Sequence, residues 1–579
     1  MSRRNPSICI GTLNDEQVFL TPEDRRTHLH IIGPSNSGKT RMMEHMIKQD
    51  ILAGDGICVL DPTGGLFERL AKWCTARGLQ RRRPLHFFDV NSDDWVPSFN
   101  PLMVRDDEDI AKRADAMVLA CSRVWSEDAS STPLLKRVLR VVFTALIENK
   151  LTLVEGIELV MPPLSEIDQN VREYLTGFLQ NPYAKRVWAE FNQMKADRLN
   201  DTFSSTNNRL ADFLMSERMT CMFGSTEGVL DLSKSMNQGD MIIVNLQPLK
   251  ISHDNSKLIG TLITNELLQV ARSRDNDEAA KKPFYCYLDE AYRFLTDDIE
   301  QALDETRQKG LHYILAHQRL GQLSQAGSNI YSAVMSIRNK IVFGDLESEE
   351  TGILARELYQ SEYDEDAEIE EMRRPVVVEY KIRKNRQHRK TKTRGRNMGT
   401  ANMDTRMKSE TRSNALSLPT DAFGHATTGE FMDGGGSGKS TGKANTRGKT
   451  FGSNQSDGLT DGWAESAWPV LEERAGSLRS FEDQMHIHAR QLRTLPNREV
   501  ILKLRQKPPK QIAVPYVGNP VTRSQRLPGF FSSAAQQSGF IHSAEDVQQQ
   551  YVRRRSLLNR NAQSVLTDSF PDDPNDFFE

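Results

Sequence analysis

An eight-residue stretch near the N-terminus limits the folds open to this chain more than any other part of the sequence. Residues 33–40 read GPSNSGKT and match the phosphate-binding loop pattern, a glycine, four residues of any type and then Gly-Lys-Ser/Thr, at every fixed position. The preceding Thr27–Ile32 has the apolar pattern of a strand, and Arg41–Lys48 has helical spacing. Strand, loop and helix in this order predict an α/β nucleotide-binding core.

The residue types of the loop suit a polyphosphate. Gly33 and Gly38 let the backbone curl so that amide hydrogens point at phosphate oxygens, and the following helix adds its positive end. Lys39 is expected to bridge the terminal phosphates, and the Thr40 hydroxyl is expected to bind Mg²⁺. The alternative, a Gly/Ser-rich turn that merely precedes a helix, is disfavoured by the agreement of all three elements. The predicted nucleotide contacts are Gly33, Pro34, Ser35, Asn36, Ser37, Gly38, Lys39 and Thr40.

Length and composition set the broad class. A chain of 579 residues is too long for one compact core, so about two to four domains are expected. The six cysteines form no CxxC pair, which indicates neither a zinc site nor a disulfide framework and favours a reducing cytoplasm. No apolar stretch approaches the roughly 20 residues that span a bilayer. Attachment to the inner membrane is therefore expected only through a partner.

The pattern of apolar residues divides the chain. Residues 1–105 are predicted as the first part of the α/β core with the phosphate loop, and 229–360 as its second part, with an all-helical insertion at 106–228. Residues 361–470 are charged or of low complexity and are predicted to be disordered. Strands over 498–504 and 511–517, within 471–518, are predicted to return to the core, and 519–579 is predicted as a disordered tail with an acidic end.

Three polar residues, Asp61, His28 and His30, are predicted on the early strands. Asp61 ends a strand of the buried type. Its side chain is expected either to face the nucleotide crevice or to cap the next turn. His28 and His30 share one strand face and are predicted at a solvent-exposed or interface position rather than in a metal site.

Residues 283–290, PFYCYLDE, have the form of a second nucleotide-site strand, a largely apolar run that ends in the carboxylates Asp289 and Glu290. With a phosphate loop upstream, Asp289 is expected to complete the Mg²⁺ shell, and Glu290 to orient or deprotonate the attacking water. The alternative is that the acidic pair simply favours the start of a helix.

A third strand, Leu311–His317, terminates in Gln318. Because strand ends of one direction meet at one edge of a parallel sheet, Gln318 is expected beside Asp61 and Glu290. An amide there is placed to sense the terminal phosphate.

Taken together, several motifs of the chain resemble one family, the coupling ATPases of type IV secretion and conjugative DNA transfer, which belong with ring-forming DNA translocases. The resemblance covers about residues 27–345 and returns weakly at Leu495–Leu504. The motifs that carry it are Thr27–Thr40, Val59–Pro62, Phe99–Leu102, Leu288–Glu290 and Ala316–Leu323.

The resemblance implies a RecA-type ATPase core with a helical domain, assembled as a homo-hexamer around DNA and using ATP and Mg²⁺. In this family an arginine just before a short Gly-containing turn reaches the nucleotide of the neighbouring subunit, and Arg307 occupies that position. The alternative is a helix-surface salt bridge of Arg307 with Asp304 or Glu300. Gln318 matches the glutamine motif of the family.

The C-terminal third contains three segments of biased composition. The basic run Lys381–Arg396 is equally compatible with nucleic-acid binding and with a solvated tether. A second phosphate-loop-like stretch, Gly434–Ser440, follows Asp433 where the first glycine is required, and is attributed to chance. The acidic end, 568–579, suits a docking peptide for a partner such as a relaxase or another transfer-machine component.

The sequence therefore predicts an ATP-driven DNA translocase that delivers DNA to a transfer machine, with Glu290, Arg307 and Gln318 as catalytic residues, and Thr40 and Asp289 as metal ligands. Two alternatives stay open: a motor for DNA end processing or phage defence beside a nuclease, and a nucleotide-gated interaction scaffold.

Overall fold

The computed structural model describes residues 7–79, 84–105, 108–125, 132–275, 282–363, 373–396, 412–414, 435–437, 453–475 and 480–565. Two compact units divide the chain, one of residues 1–365 and 479–579 and the other of residues 366–478. The predicted nucleotide-site residues all lie in the first unit.

An 11-stranded sheet forms the centre of the first unit, with the strand order β2-β1-β16-β15-β10-β3-β9-β8-β4-β7-β5. Its strands are β1 (Ile8–Leu13), β2 (Glu16–Leu20), β3 (Leu29–Ile32), β4 (Gly56–Asp61), β5 (Leu85–Asp89), β7 (Met241–Asn245), β8 (Phe284–Leu288), β9 (Leu311–His317), β10 (Lys340–Phe343), β15 (Glu499–Lys503) and β16 (Lys510–Ala513). A separate short pair joins β6 (Val96–Pro97) and β17 (Ile541–His542).

Seven neighbouring strands, from β10 to β5, are parallel, and the other four extend the sheet in antiparallel pairs. Parallel strands covered by helices are buried on both faces, which explains why β4, β7, β8 and β9 are buried along their whole length. Alternate residues serve the two faces: Cys58 and Leu60 join one apolar cluster, and Ile57 and Val59 join the other.

Helices cover both faces of the sheet. Those of the α/β core are Pro22–Arg25, Lys39–Ala53, Gly65–Arg77, Leu232–Gln238, His253–Ser273, Ile299–Gln308, Leu320–Ala326, Ser328–Ser336, Ser348–Tyr359 and Phe481–Arg493, with 3-10 turns at Ala291–Arg293, Gln360–Glu362 and Ser524–Arg526. Between β6 and β7 a further run of helices is inserted: Ile110–Trp125, Thr132–Glu148, Gly156–Val160, Glu166–Gly177, Pro182–Asn192, Ala196–Leu214 and Glu217–Phe223. The predicted α/β core with an inserted all-α segment is confirmed, whereas the exact domain limits stay a prediction.

The tail differs from its prediction. Residues 527–565 form two helices, Leu527–Ser538 and Ala544–Val565, so the disorder predicted for 519–579 is wrong there. The physical reason is an apolar helix face: Phe530 is buried, and its ring meets the edge of Phe87 on β5 at a centroid distance of 5.2 Å. The acidic end, 568–579, lies outside the described residues.

The second unit contains two antiparallel strand pairs: β11 (Arg373–Arg396) with β14 (Ser453–Ala475), and β12 (Arg412–Asn414) with β13 (Gly435–Ser437). These strands and residues 361–363 are what the structure describes of residues 361–470, and the disorder predicted for that segment stays a prediction. The basic run Lys381–Arg396 lies within β11, and most of the stretch resembling a second phosphate loop lies outside the described residues.

Candidate active site

The loop of residues 33–40 connects β3 to the helix Lys39–Ala53 and has the geometry that its glycines allow. Gly38 precedes the helix with φ of 107°, a value that favours glycine. A side chain at Gly33 would place its Cβ 2.5 Å from Cβ of Phe343 and 2.8 Å from the Ser37 hydroxyl. The Gly33 amide donates to the carbonyl of His317 at 3.4 Å, which ties the loop to β9.

The first turn of this helix carries the two side chains predicted to meet phosphate and metal. Lys39 is buried; burial lowers its pKa, and the negative charges of Glu290 and Asp289 oppose the shift. The Thr40 hydroxyl donates to Oδ2 of Asp289 at 3.0 Å. The structure therefore brings the loop and the end of β8 together, as predicted.

Asp289 and Glu290 follow β8 directly and are both buried. Burial raises the pKa of Asp289 to about 6; Asp61 and Glu290 act in the same direction, and Lys39 and the Thr40 hydroxyl oppose it. A buried carboxyl group whose pKa is shifted by burial and by neighbouring charges is typical of functional sites.

Glu290 departs from ordinary backbone geometry, with φ and ψ both 50°. A non-glycine residue in this left-handed region carries strain of roughly 1–3 kcal/mol, which is characteristic of sites where a side chain must point in one direction. Glu290 makes no capping hydrogen bond to the 3-10 turn Ala291–Arg293 that follows. The alternative role of the acidic pair as a helix start is thus not supported, and the Oε2 atom of Glu290 is buried without a hydrogen-bond partner among the described residues.

Gln318 lies between the loop and the carboxylates, because β9 lies between β3 and β8 in the sheet. Its Nε2 donates to Oε1 of Glu290 at 2.7 Å, and its Oε1 accepts from the Ser35 hydroxyl at 2.8 Å. The predicted meeting of Gln318 with the site is therefore observed.

Asp61 takes the capping role among its two predicted alternatives. Its Oδ1 accepts from the Thr63 amide at 2.9 Å and from the Thr63 hydroxyl, and its Oδ2 accepts from the Phe67 amide at 2.8 Å. Its charge still acts on Asp289.

Arg307 is the one predicted catalytic residue that the fold does not bring to the site of its own chain. It lies in the last turn of the helix Ile299–Gln308, before the start of β9, whereas Gln318 follows the other end of that strand. Seven strand residues separate the two ends by roughly 23 Å at 3.3 Å per residue. Arg307 is exposed, and no ion pair joins it to Asp304, Glu300 or another residue of the described ranges.

The histidine prediction was wrong. His28 and His30 are buried, not at the surface. Nε2 of His28 lies 2.7 Å from the Leu303 carbonyl, and its Nδ1 accepts from the Tyr313 amide at 3.0 Å. His30 stacks on His317 with the two Nε2 atoms 3.1 Å apart. The signal that sequence reasoning missed is that His28 and His30 lie just before and within β3, that β9 also carries two histidines, and that the two strands are neighbours.

A buried charged group was also missed. The Arg25 guanidinium donates to both carboxylate oxygens of Asp50 at 2.7 and 2.6 Å and to the Tyr287 hydroxyl at 3.0 Å. Asp50 lies near the end of the phosphate-loop helix and Tyr287 lies on β8, so this group connects the two elements that carry the candidate active site.

The residues present fit a nucleoside triphosphate with Mg²⁺. The loop admits no side chain at Gly33, a buried lysine opens the helix, and a hydroxyl and a carboxylate, both oxygen ligands, are already paired at Thr40 and Asp289. The orphan Oε2 of Glu290 supplies an acceptor inside the same space.

Fold and site together define the P-loop class of nucleotide-binding α/β proteins, here with a helical insertion. The model of the type IV secretion-system coupling protein DNA-binding domain matches residues 14–372. The chain belongs to this family, which confirms the resemblance predicted from its motifs. Among the described residues, we find no helix with the length and apolar character needed to cross a bilayer.

Several solved structures are similar to the chain. The bacterial conjugative coupling protein TrwBdeltaN70 is 12% identical, with 87% of this chain and 88% of that chain covered and a TM-score of 0.49. The plasmid coupling protein TrwB in complex with ADP and Mg²⁺ is 15% identical, covering 58% and 76%, with a TM-score of 0.43. VirB4 of Thermoanaerobacter pseudethanolicus is 11% identical, covering 60% and 87%, with a TM-score of 0.40. No curated protein matches the chain significantly.

Proposed function

We propose that this protein is an ATP-driven motor that moves DNA toward a type IV secretion or conjugative transfer machine. The observation that carries the proposal is the joining of three sheet-edge elements: Thr40 pairs with Asp289, and Gln318 connects Ser35 to Glu290. A phosphate loop alone indicates nucleotide binding, whereas a loop joined to a buried carboxylate pair is suited to hydrolysis.

The roles follow from position. The backbone of residues 33–40 and the Lys39 ammonium would hold the phosphates, and Thr40 with Asp289 would hold Mg²⁺. When bound, the metal ion neutralises charge that develops on the phosphate oxygens. Glu290, with one carboxylate oxygen free, is the acceptor for a water proton. Gln318, which already donates to Glu290, is placed to sense the terminal phosphate.

Arg307 supports an oligomeric motor. An exposed arginine without an ion pair to any described residue, at the sheet end opposite its own site, is free to reach the nucleotide of an adjacent subunit. We assign it as an arginine finger acting between subunits of a homo-hexamer. Such a residue contributes about 10³ to 10⁵ in turnover.

The proposal extends to partners and location. The family description names a DNA-binding domain, which supports DNA as the substrate that is moved. We propose that a relaxase or another component of the transfer machine binds the acidic end of the chain. The motor would work in the cytoplasm, and any attachment to the inner membrane would be made through a partner.

The decisive experiment is an ATPase assay with and without single- and double-stranded DNA. The motor proposal expects hydrolysis that DNA stimulates and that Lys39→Ala abolishes. Turnover that is indifferent to both forms of DNA contradicts it and favours the nucleotide-gated scaffold. Pull-down of a nuclease in place of a relaxase would favour a role in end processing or defence.

A further inference from the structure

The Ser35 side chain has a role in the structure beyond that of a generic phosphate-loop position. Its hydroxyl donates to Oε1 of Gln318 at 2.8 Å, and it is the one hydroxyl of the loop that does so among the described residues. Ser37, two positions along the same loop, has a hydroxyl without a hydrogen-bond partner there. The contact therefore belongs to Ser35 and does not follow from the loop fold alone.

Glu290 determines which atom of the Gln318 side-chain amide faces its carboxylate. A carboxylate only accepts hydrogen bonds, so it requires the amide to present Nε2, which lies 2.7 Å from Oε1 of Glu290. The opposite oxygen, Oε1, then needs a donor, and Ser35 provides it. The Glu290 carboxylate thus selects which end of the amide faces it, and the Ser35 hydroxyl holds the opposite end in place.

The backbone hydrogen bond of Gln318 does not fix the orientation of its side-chain amide. The backbone N–H of Gln318 donates to Oε1 of Gln322 at 3.1 Å. This hydrogen bond stabilises the start of the following helix but does not restrict rotation of the Gln318 side chain. Without Ser35, rotation of the side-chain amide would bring its oxygen against the Glu290 carboxylate, with loss of the hydrogen bond and repulsion between two acceptors.

We propose that Ser35 is a positioning residue that orients the Gln318 amide, and through it Glu290, for the hydrolytic step. This inference rests on the proposed function, since it assigns Gln318 and Glu290 to hydrolysis. The hydrogen bonds run from Ser35 to Gln318 to Glu290 and leave Oε2 of Glu290 free to take a water proton. Ser35 itself need not contact the nucleotide through its side chain.

The kinetic test compares Ser35→Ala with Ser35→Thr in the full chain. We expect S35A to lower kcat for DNA-stimulated ATP hydrolysis about five- to tenfold with KM within twofold, because positioning is lost and binding is not. S35T keeps the hydroxyl and is expected to recover most of the rate. The matched control is Ser324→Ala, an exposed serine on the helix after Gln318, which is expected to leave both constants unchanged. An unchanged kcat in S35A, or an S35T as slow as S35A, overturns the inference.

A second test uses nucleotide-free protein and needs no activity. If Ser35 acts only through Gln318, the urea midpoint of S35A/Q318A equals that of Q318A alone, whereas the shifts of S324A and Q318A add. Shifts that add for Ser35 as well show that the two side chains are independent and overturn the inference. If wild-type protein hydrolyses no ATP, the proposed function fails, and the urea cycle still decides whether Ser35 positions Gln318.

Discussion

The Thr40 hydroxyl and the Asp289 carboxylate are 249 residues apart in the chain and 3.0 Å apart in the structure. The helical insertion and four of the eleven strands of the central sheet lie between them in sequence. Their contact exists because β3 and β8 are parallel strands separated only by β9, so both end at the same edge.

Asp289→Asn is expected to separate metal-dependent hydrolysis from nucleotide binding. The amide is a poorer ligand for Mg²⁺ than a carboxylate, so we expect kcat to fall about 100-fold or more, with a fluorescent ATP analogue still bound in EDTA. Titration of Mg²⁺ against turnover provides the measurement, and Asp254→Asn on an exposed helix start is the control. Full activity in D289N would show that the carboxylate does not hold the metal.

Glu290→Gln removes the proposed water-activating group and keeps the shape of the side chain. General-base catalysis contributes about 10² to 10⁴ in rate, so single-turnover hydrolysis should slow by that range while ATP affinity stays within a fewfold. Glu349→Gln, at an exposed glutamate, should leave the rate unchanged. A drop in ATP affinity with an unaltered chemical step would instead assign Glu290 to binding.

Mixing subunits tests the trans role of Arg307. Arg307→Ala is expected to lower DNA-stimulated hydrolysis about 10³-fold, and Lys39→Ala is expected to abolish it. On mixing, a phosphate loop from the first variant meets an intact Arg307 from the second, so part of the activity should return. Recovery is measured as ATP turnover against the mixing ratio. A mixture as inactive as its components would place the action of Arg307 within one subunit, or outside catalysis.

Arg25→Met is expected to destabilise the fold strongly. The substitution leaves Asp50 buried without its cation, and breaking a buried ion pair in this way costs about 3–5 kcal/mol in the free energy of unfolding. The adjacent Arg26 pairs with Glu23 at the surface, so Arg26→Met should cost less than about 1 kcal/mol. Urea unfolding of the two variants gives the comparison. Equal losses would mean that the buried group contributes no more than a surface pair.

Acid is expected to destabilise the protein through its buried histidines. Burial lowers the pKa of His317 to about 3, with the charge of Lys39 adding to the shift, and lowers the pKa of His28 to about 4. The neutral histidines therefore contribute to the free energy of unfolding, and this contribution is complete above pH 6.5. It is lost as the pH falls toward the pKa values of the folded state, at about 1.4 kcal/mol per pH unit for each histidine.

Asp289 works in the opposite direction over part of this range. Its raised pKa of about 6 means that protonation below that pH favours the folded state and offsets one histidine. The net loss of unfolding free energy between pH 6.5 and 4.5 should be visible as a falling urea midpoint. His317→Asn should flatten this dependence, whereas His253→Gln, at an exposed histidine, should not. A midpoint independent of pH would contradict the burial argument.

The success of the motif-based predictions depends on short-range chemistry. The phosphate loop, the strand before it and the helix after it are contiguous, and each has a local reason to form: glycines for the turn, apolar runs for the strands and spacing for the helix. Parallel strands also end at a common edge, so Gln318 and Glu290 could be placed side by side before any contact was known.

The failures share a physical cause as well. Burial of His28 and His30 depends on strand neighbours that are hundreds of residues away, and the helix Leu527–Ser538 depends on Phe87, far upstream, for the apolar surface that Phe530 meets. Composition averages over a segment and cannot register such a partner.

Sequence alone determined the class of site: residue types at short spacing specify which groups can bind phosphate, bind a metal ion and move a proton. Tertiary structure decided how those groups are connected, since only folding shows that Ser35 donates to Gln318, that Gln318 donates to Glu290, that Asp61 is committed to capping and that Arg307 lies at the opposite end of the sheet. Hydrogen bonds of this kind require that atoms from segments far apart in the chain be positioned to within a few tenths of an ångström. The local sequence around each residue does not determine those positions.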